Sequence, residues 1–197
     1  KLKTTSKKVI FLTWDELNKL KDYQIPHDKQ YLERVRDVFL FCCFTSLRYS
    51  DVRNLKRSDI KPDHIEVTTV KTADSLIIEL NDHSKAILEK YKDVHFENHM
   101  ALPVISNQKM NDYLKEIATV CGINKKITFH VARHSFATLS ISYGVPIESV
   151  SKMLGHTNIQ TTQIYARVVD RKLSHDMAVL EQKLQSKGKR PIAIVNP

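Results

Sequence analysis

Glycine and cysteine are scarce in this chain of 197 residues, with four of the first and three of the second. With so few glycines, no internal repeat and no low-complexity tract, no second domain boundary is visible, and one compact domain is expected. Cys42, Cys43 and Cys121 form no Cys-x-x-Cys pair, and the nine histidines include no His-Glu-x-x-His arrangement. A structural or catalytic metal therefore has no evident home, and the expectation is chemistry without a metal or other cofactor. The odd cysteine count, with two neighbours in an apolar stretch where they read as small buried hydrophobes, suggests a reducing, cytoplasmic setting. Long hydrophobic runs are missing too. The longest uncharged one lies within Val38 to Leu47, too short to span a bilayer, and the opening Lys-Leu-Lys-Thr-Thr-Ser-Lys-Lys lacks the apolar stretch of a signal peptide. No membrane association is expected.

What is present is an ordinary globular composition, 42% apolar and long enough for one large domain with a real core. Lysine and arginine total 31 against 22 acidic residues, a net charge of +9 spread along the chain rather than confined to a tail. Such a surface suits a polyanion, nucleic acid above all, although a merely basic soluble protein would carry the same balance.

Residues 1–10 read as a basic linker or arm, 11–184 as the folded domain and 185–197 as a loose tail. Thr13-Trp14-Asp15-Glu16 is a capping box that starts a helix running to about Lys21. Leu32, Val35, Val38, Phe39, Cys42 and Cys43 recur at three- and four-residue steps, which predicts a central core helix from about Lys29 to Thr45. A further helix capped by Ser50 leaves Arg48 at a junction between two helices. His64 to Lys71 and Ser75 to Leu80 read as the strands of a small antiparallel hairpin. Helices follow from Asn81 to about Lys90, from Ser106 or Asn107 to Cys121, from about Val131 to Tyr143, from Pro146 to Leu154 and from Thr161 to Arg167, with Gly122, Gly144 and Gly155 as stops. Leu173, Met177, Leu180 and Leu184 continue a helical stripe that packs either on its own domain or on a neighbouring subunit. The expected class is α+β, mainly helical with a small antiparallel β-sheet.

Six polar residues follow one another in a suggestive order: Arg48, Lys71, His130, Arg133, His156 and Tyr165. A tyrosine hydroxyl, with a pKa of about 10, is a poor nucleophile at neutral pH and attacks only where cations and proton acceptors surround its target. Taken singly, each residue is ordinary: a cation near a helix end, a solvated lysine beside a turn, a common His-x-x-Arg pair, a turn histidine, a core aromatic. Spacing alters that reading. His130 and Arg133, three apart at the start of one helix, emerge on the same side and can reach one phosphate. Gly155 lets the backbone turn closely enough for His156 to donate to it. His134 reads as a packed or supporting residue.

At Thr45-Ser46-Leu47-Arg48-Tyr49-Ser50-Asp51, at His130-Val131-Ala132-Arg133-His134-Ser135-Phe136-Ala137-Thr138, and at Leu154-Gly155-His156 followed by Tyr165, the sequence resembles the tyrosine recombinase (phage integrase) family. The resemblance runs from about Phe11 to Leu184. It implies a catalytic domain that cuts DNA through a covalent 3′-phosphotyrosine and rejoins it to another strand, as the site-specific recombinase of a mobile element does in integration or excision. By the same resemblance, Arg48 and Arg133 clamp the scissile phosphate, His130 serves as proton acceptor or phosphate ligand, and His156 stabilises the transition state. Lys71 would protonate the departing 5′ oxygen, with Lys56 and Lys61 as nearby substitutes, and Tyr165 would attack. The implied partner is double-stranded DNA, held by a homotetramer on two duplexes when the protein is full-length, while an isolated domain can be a monomer. Full-length members carry an N-terminal DNA-clamping domain, so the chain reads as a catalytic fragment. It departs from the family pattern at Ser46, where glycine is usual, and at Ala132, where a larger apolar residue is common. A type IB topoisomerase and a non-enzymatic DNA-binding module are the alternatives. The short His156 to Tyr165 spacing favours the recombinase over the first, and six workable side chains favour an enzyme over the second.

Overall fold

The computed structural model describes residues 9–71, 73–169, 177, 181 and 182. Residues 1–8 of the expected arm, the whole of the expected tail over 185–197, and Leu173, Leu180 and Leu184 of the last stripe lie outside the described residues, while Met177 is helical and exposed. Along the chain run α1 (Trp14–Asp22), α2 (Gln30–Thr45), α3 (Tyr49–Arg53), β1 (His64–Thr68), β2 (Ser75–Glu79), α4 (Asp82–Tyr91), α5 (Asn107–Val120), α6 (Phe129–Ser142) and α7 (Ile147–Met153). Residues 160–169 are helical and are called α8. This is the expected α+β class, mostly helical with one two-stranded antiparallel sheet. No helix among the described residues is long and apolar enough to cross a membrane.

Local chemistry sets the helix starts. Thr13 Oγ1 accepts from the Glu16 amide at 3.3 Å while the Glu16 carboxylate accepts from the Thr13 amide at 2.8 Å, the reciprocal pair that Thr13-x-x-Glu16 predicts. Asn81 and Ser106 cap α4 and α5 in the simpler way, each side chain accepting one free amide. α6 differs. Its N-cap Thr128 makes no side-chain bond, and Asn111 of α5 accepts from the Phe129 amide at 2.9 Å. A cap supplied by another helix leaves no mark on the local sequence, which is why α6 starts two residues before the expected Val131.

α2 is the centre of the molecule, packed by α1, α4, α5 and α6. Val38 through Cys43 are all buried, the pattern of a helix enclosed on several sides. Asp37, only 4% exposed, is held by three donors: Arg36 Nε at 3.0 Å, Lys90 Nζ at 2.6 Å and the Tyr91 hydroxyl at 2.9 Å. A carboxylate so placed is tolerated because it is paired and hydrogen-bonded.

The hairpin differs from expectation at its ends. β1 and β2 pair from His64↔Glu79 to Thr68↔Ser75, with Ile65, Val67 and Ile78 buried beneath. Beyond Thr68 the Thr69 amide donates to Asp74 O and the Ala73 amide to Thr69 O, both at 2.9 Å. These bonds fold the chain over, so Lys71 sits in the turn rather than at the end of a strand. The expected cap at Ser50 is also corrected. Arg48 is the N-cap, with extended backbone whose carbonyl accepts from Asp51 and Val52, and Ser50 is already helical.

Candidate active site

The site begins where α2 ends. Ser46 turns the chain through the left-handed region (φ 63°), its amide still bonded to Cys42 O at 3.0 Å. Serine therefore takes the conformation that glycine takes without strain. It compensates with its hydroxyl, which donates to Met153 O at 2.9 Å and ties α2 to α7. Ser46→Ala is expected to lower stability by about 1 kcal/mol, the worth of that bond. Ser46→Gly loses the same bond but relieves the positive φ, so it is expected to fall near zero. Chemical denaturation of both variants checks this; equal losses would mean that the turn is unstrained.

Two residues on, Arg48 leaves the junction with its guanidinium 3.8 Å from the buried carboxylate of Asp51. The other oxygen of Asp51 accepts from the Val70 amide at 3.0 Å. One carboxylate thus orients the arginine and anchors the turn that carries Lys71, which is itself exposed.

Arg133 rises from α6 and is 3% exposed. It donates through Nη1 to Ser46 O at 3.0 Å and through Nη2 to Leu154 O. Its guanidinium therefore joins the turn that presents Arg48 to the turn that presents His156. Burial and the neighbouring Arg48 pull its pKa down to about 10, which leaves it charged at neutral pH. His130 is exposed on the first turn of α6 and lines an open cleft of about 360 Å³ with Arg48 and Arg133. A larger hollow of about 630 Å³, beside Arg57, Lys85 and Tyr91, includes none of the six residues.

His156 follows Gly155, whose φ of 58° makes the close turn. Its Nδ1 lies 2.8 Å from Thr162 Oγ1 on α8. Tyr165, three residues further along α8, is 3% exposed and packs among Ala137, Val150 and Leu154. Its hydroxyl is 2.9 Å from Nδ1 of His134.

The charges report how close these groups are. His130 is lowered by burial, then by Arg133, Arg48 and Lys71; His156 is lowered to about 4 by burial and the same three cations. His134 is lowered to about 4 by burial, His130 and Arg133. Burial raises the Tyr165 phenol, and Arg133 and Arg48 pull it back. The six residues that the sequence singled out are thus linked electrostatically, Arg48, His130, His156 and Tyr165 each with Arg133, and Lys71 with His130 and His156.

A stability profile follows. For His134 and His156 the folded value of about 4 lies below the ordinary 6.5, so this contribution is complete above pH 6.5. As pH falls, the unfolded chain takes up protons that the folded one refuses, and stability drops until about pH 4, where the folded rings protonate as well. Between about pH 6.5 and 5 ordinary carboxylates contribute little. Tm is expected to fall across that window, and less steeply in His156→Gln; a flat profile in the unaltered protein would show that the rings are not shielded.

The model of the phage integrase family matches residues 11–172 of the chain. The chain belongs to the phage integrase family. Among its integrase relatives, a tyrosine recombinase of Pseudothermotoga lettingae is 30% identical over 170 residues, which cover 81% of this chain and 57% of that protein. The chain thus spans a little over half the length of the curated relatives it matches. The crystal structure of XerA recombinase superposes with a TM-score of 0.68 at 22% identity, covering 92% of this chain and 66% of that one. XerH site-specific recombinase bound to palindromic difH substrate, a post-cleavage complex, gives 0.72 at 19% identity, covering 91% and 56%. At these identities the likeness shows the fold.

One residue of this integrase domain, Asp51, escaped the reading of its sequence as a site residue. Asp51 lies in the first turn of the short helix that Arg48 caps, and a carboxylate three residues after an arginine was the available signal. His134, which the sequence presents as a packed or supporting residue, holds the hydroxyl of Tyr165. Its place four residues after His130, on the same face of α6, was the hint.

Proposed function

We propose that this domain is the catalytic part of a site-specific tyrosine recombinase that cleaves double-stranded DNA, holds the cut strand as a 3′-phosphotyrosine and joins it to a second strand. One observation carries the reading: Arg48, His130, His156 and Tyr165 all feel the buried guanidinium of Arg133, and Lys71 acts on the same two histidines. Three cations and two neutral imidazoles face one carboxylate there, an excess of positive charge that a phosphodiester would neutralise.

In this reading the two arginines clamp the non-bridging oxygens, for which a planar and permanently charged fork is suited. His156 has Nδ1 engaged by Thr162, so Nε2 is the nitrogen that donates to the phosphate. His130, which lines the cleft with Arg48 and Arg133, contacts the same phosphate as a ligand. Tyr165 attacks phosphorus in line, and the 5′ oxygen leaves with a proton from Lys71. Exchange of one phosphodiester for another conserves bond energy, so return attack by a different 5′ hydroxyl needs no high-energy nucleotide. Strand exchange between two duplexes calls for four such domains, and we assign the complete protein to a homotetramer that integrates or excises a mobile element in the cytoplasm.

The test uses the 197-residue chain and duplexes of randomised sequence that carry a nick, so that a short cleaved fragment is lost and the adduct is trapped. A denaturant-resistant adduct on a 3′ phosphate is expected, and sequencing the captured DNA reads out the target. No adduct on any duplex overturns the proposal, and relaxation of supercoiled plasmid without joining to a partner strand points to a topoisomerase instead.

A further inference from the structure

Attack by Tyr165 requires its phenolic proton to go somewhere; Lys71 is assigned to the leaving group and His156 to the phosphate, while His130, exposed on the open cleft, makes no hydrogen bond to Tyr165 among the described residues. The ring is 3% exposed, which leaves bulk water little access to the hydroxyl. Among the described residues Oη has a single hydrogen-bond partner, Nδ1 of His134 at 2.9 Å. The remaining nearby acceptors are occupied: Asp51 accepts from Val70 and faces Arg48, and Nδ1 of His156 is bonded to Thr162. We propose that His134 is a catalytic residue, the general base that receives the Tyr165 proton as the phenolic oxygen bonds to phosphorus. This rests on the recombinase reading and adds to it the acceptor for the nucleophile.

The groups facing His134 are His130 and Arg133 on its own helix and Tyr165 on α8, with Arg48 and Lys71 acting on His130 beside it. The His130 ring meets it edge to face, centroids 4.5 Å apart, so its position is fixed on both sides. Burial, His130 and Arg133 keep the ring neutral down to about pH 4, and in the tautomer that carries its proton on Nε2 the Nδ1 lone pair accepts from the phenol. So weak a base does not remove a phenolic proton in advance. The proton moves during attack, when the oxygen bonding to phosphorus can no longer hold it, and when the negative phosphate offsets the neighbouring cations.

The step balances. The O–H bond of Tyr165 breaks and an N–H bond forms at Nδ1; a P–O bond to tyrosine forms, the P–O5′ bond breaks, and the 5′ oxygen takes the Lys71 proton. In the joining step a 5′ hydroxyl attacks and returns its proton to the Lys71 amine, the P–O bond to Tyr165 breaks, and the departing phenolate recovers its proton from Nδ1.

His134→Asn places an amide oxygen near the position of Nδ1 and can accept the hydrogen bond, but it does not take the proton. With the full chain and nicked duplexes of randomised sequence, adduct formation in this variant is expected to slow about 100-fold at neutral pH, within the range general bases contribute. Retention of the same duplexes in a native gel is expected to be unchanged within about twofold. The ratio of unaltered to variant rate is expected to shrink as pH rises past the ordinary tyrosine value of about 10, since burial raises the phenol and only there does it begin to ionise unaided. A purely structural role gives a ratio independent of pH and overturns the proposal, as does a variant within about threefold of the unaltered rate. His134→Gln, which reaches further, is measured beside it, so that a folding defect in one variant leaves the other to decide. An unaltered chain that forms no adduct removes the recombinase reading and this role together; one that reacts while His134→Asn reacts equally well removes only the role of His134.

Discussion

Tyr165→Phe is expected to abolish covalent capture of nicked DNA, with a loss of more than about a thousandfold, because the variant has no oxygen with which to attack. The same substitution touches stability only lightly. The ring stays packed among Ala137, Val150 and Leu154, and what is lost is one hydrogen bond to His134. Leaving that imidazole without its partner costs about 1 kcal/mol, which for a domain of this size is a fall of roughly 2–4 °C in Tm. Gel retention of duplex DNA is expected to persist, since the cations of the site are untouched. The contrast separates the roles: adduct lost with Tm and DNA binding nearly intact is the signature of a nucleophile, whereas an adduct that survives assigns the chemistry to another residue.

How far the sequence carries such arguments depends on whether the cause of a feature is local. The starts of α1, α4 and α5 were legible because each cap is a side chain acting within its own turn. α2 was legible because a buried helix must repeat its apolar residues at the helical period. The start of α3 was not, since the chain leaves α2 through the left-handed Ser46 and re-enters a helix at Tyr49, a path set by packing against α7. Nor was the start of α6, capped from α5. Lys71 illustrates the same limit: alternation of Ile65, Val67 and Thr69 suggested a strand reaching it, and the bonds between Thr69, Ala73 and Asp74 end the strand earlier. In the site, the pairing of His130 with Arg133 follows from helical spacing, while the hold of Asp51 on the Lys71 turn and of His134 on Tyr165 joins elements far apart in the chain.

Arg133→Lys and Arg133→Met divide what Arg133 does into charge and shape. The guanidinium is buried and spends two N–H groups on the carbonyls of Ser46 and Leu154, which present Arg48 and His156 respectively. In Arg133→Met both carbonyls lose a buried charged donor, and at about 1–3 kcal/mol for each orphaned group a destabilisation of roughly 2–6 kcal/mol is expected. Arg133→Lys keeps the charge, but an ammonium on a flexible stem cannot span both carbonyls and still offer paired donors to a phosphate. It is therefore expected to remain folded, with Tm lowered by several degrees, while adduct formation falls by about a hundredfold or more, of the order that follows removal of one well-placed donor to a reacting centre. Thermal melts and single-turnover capture on the same protein preparations check both. Arg133→Lys with near-normal capture would mean that positive charge alone suffices and that the fork serves the fold; Arg133→Met with unchanged stability would mean that the two turns hold Arg48 and His156 in place without it.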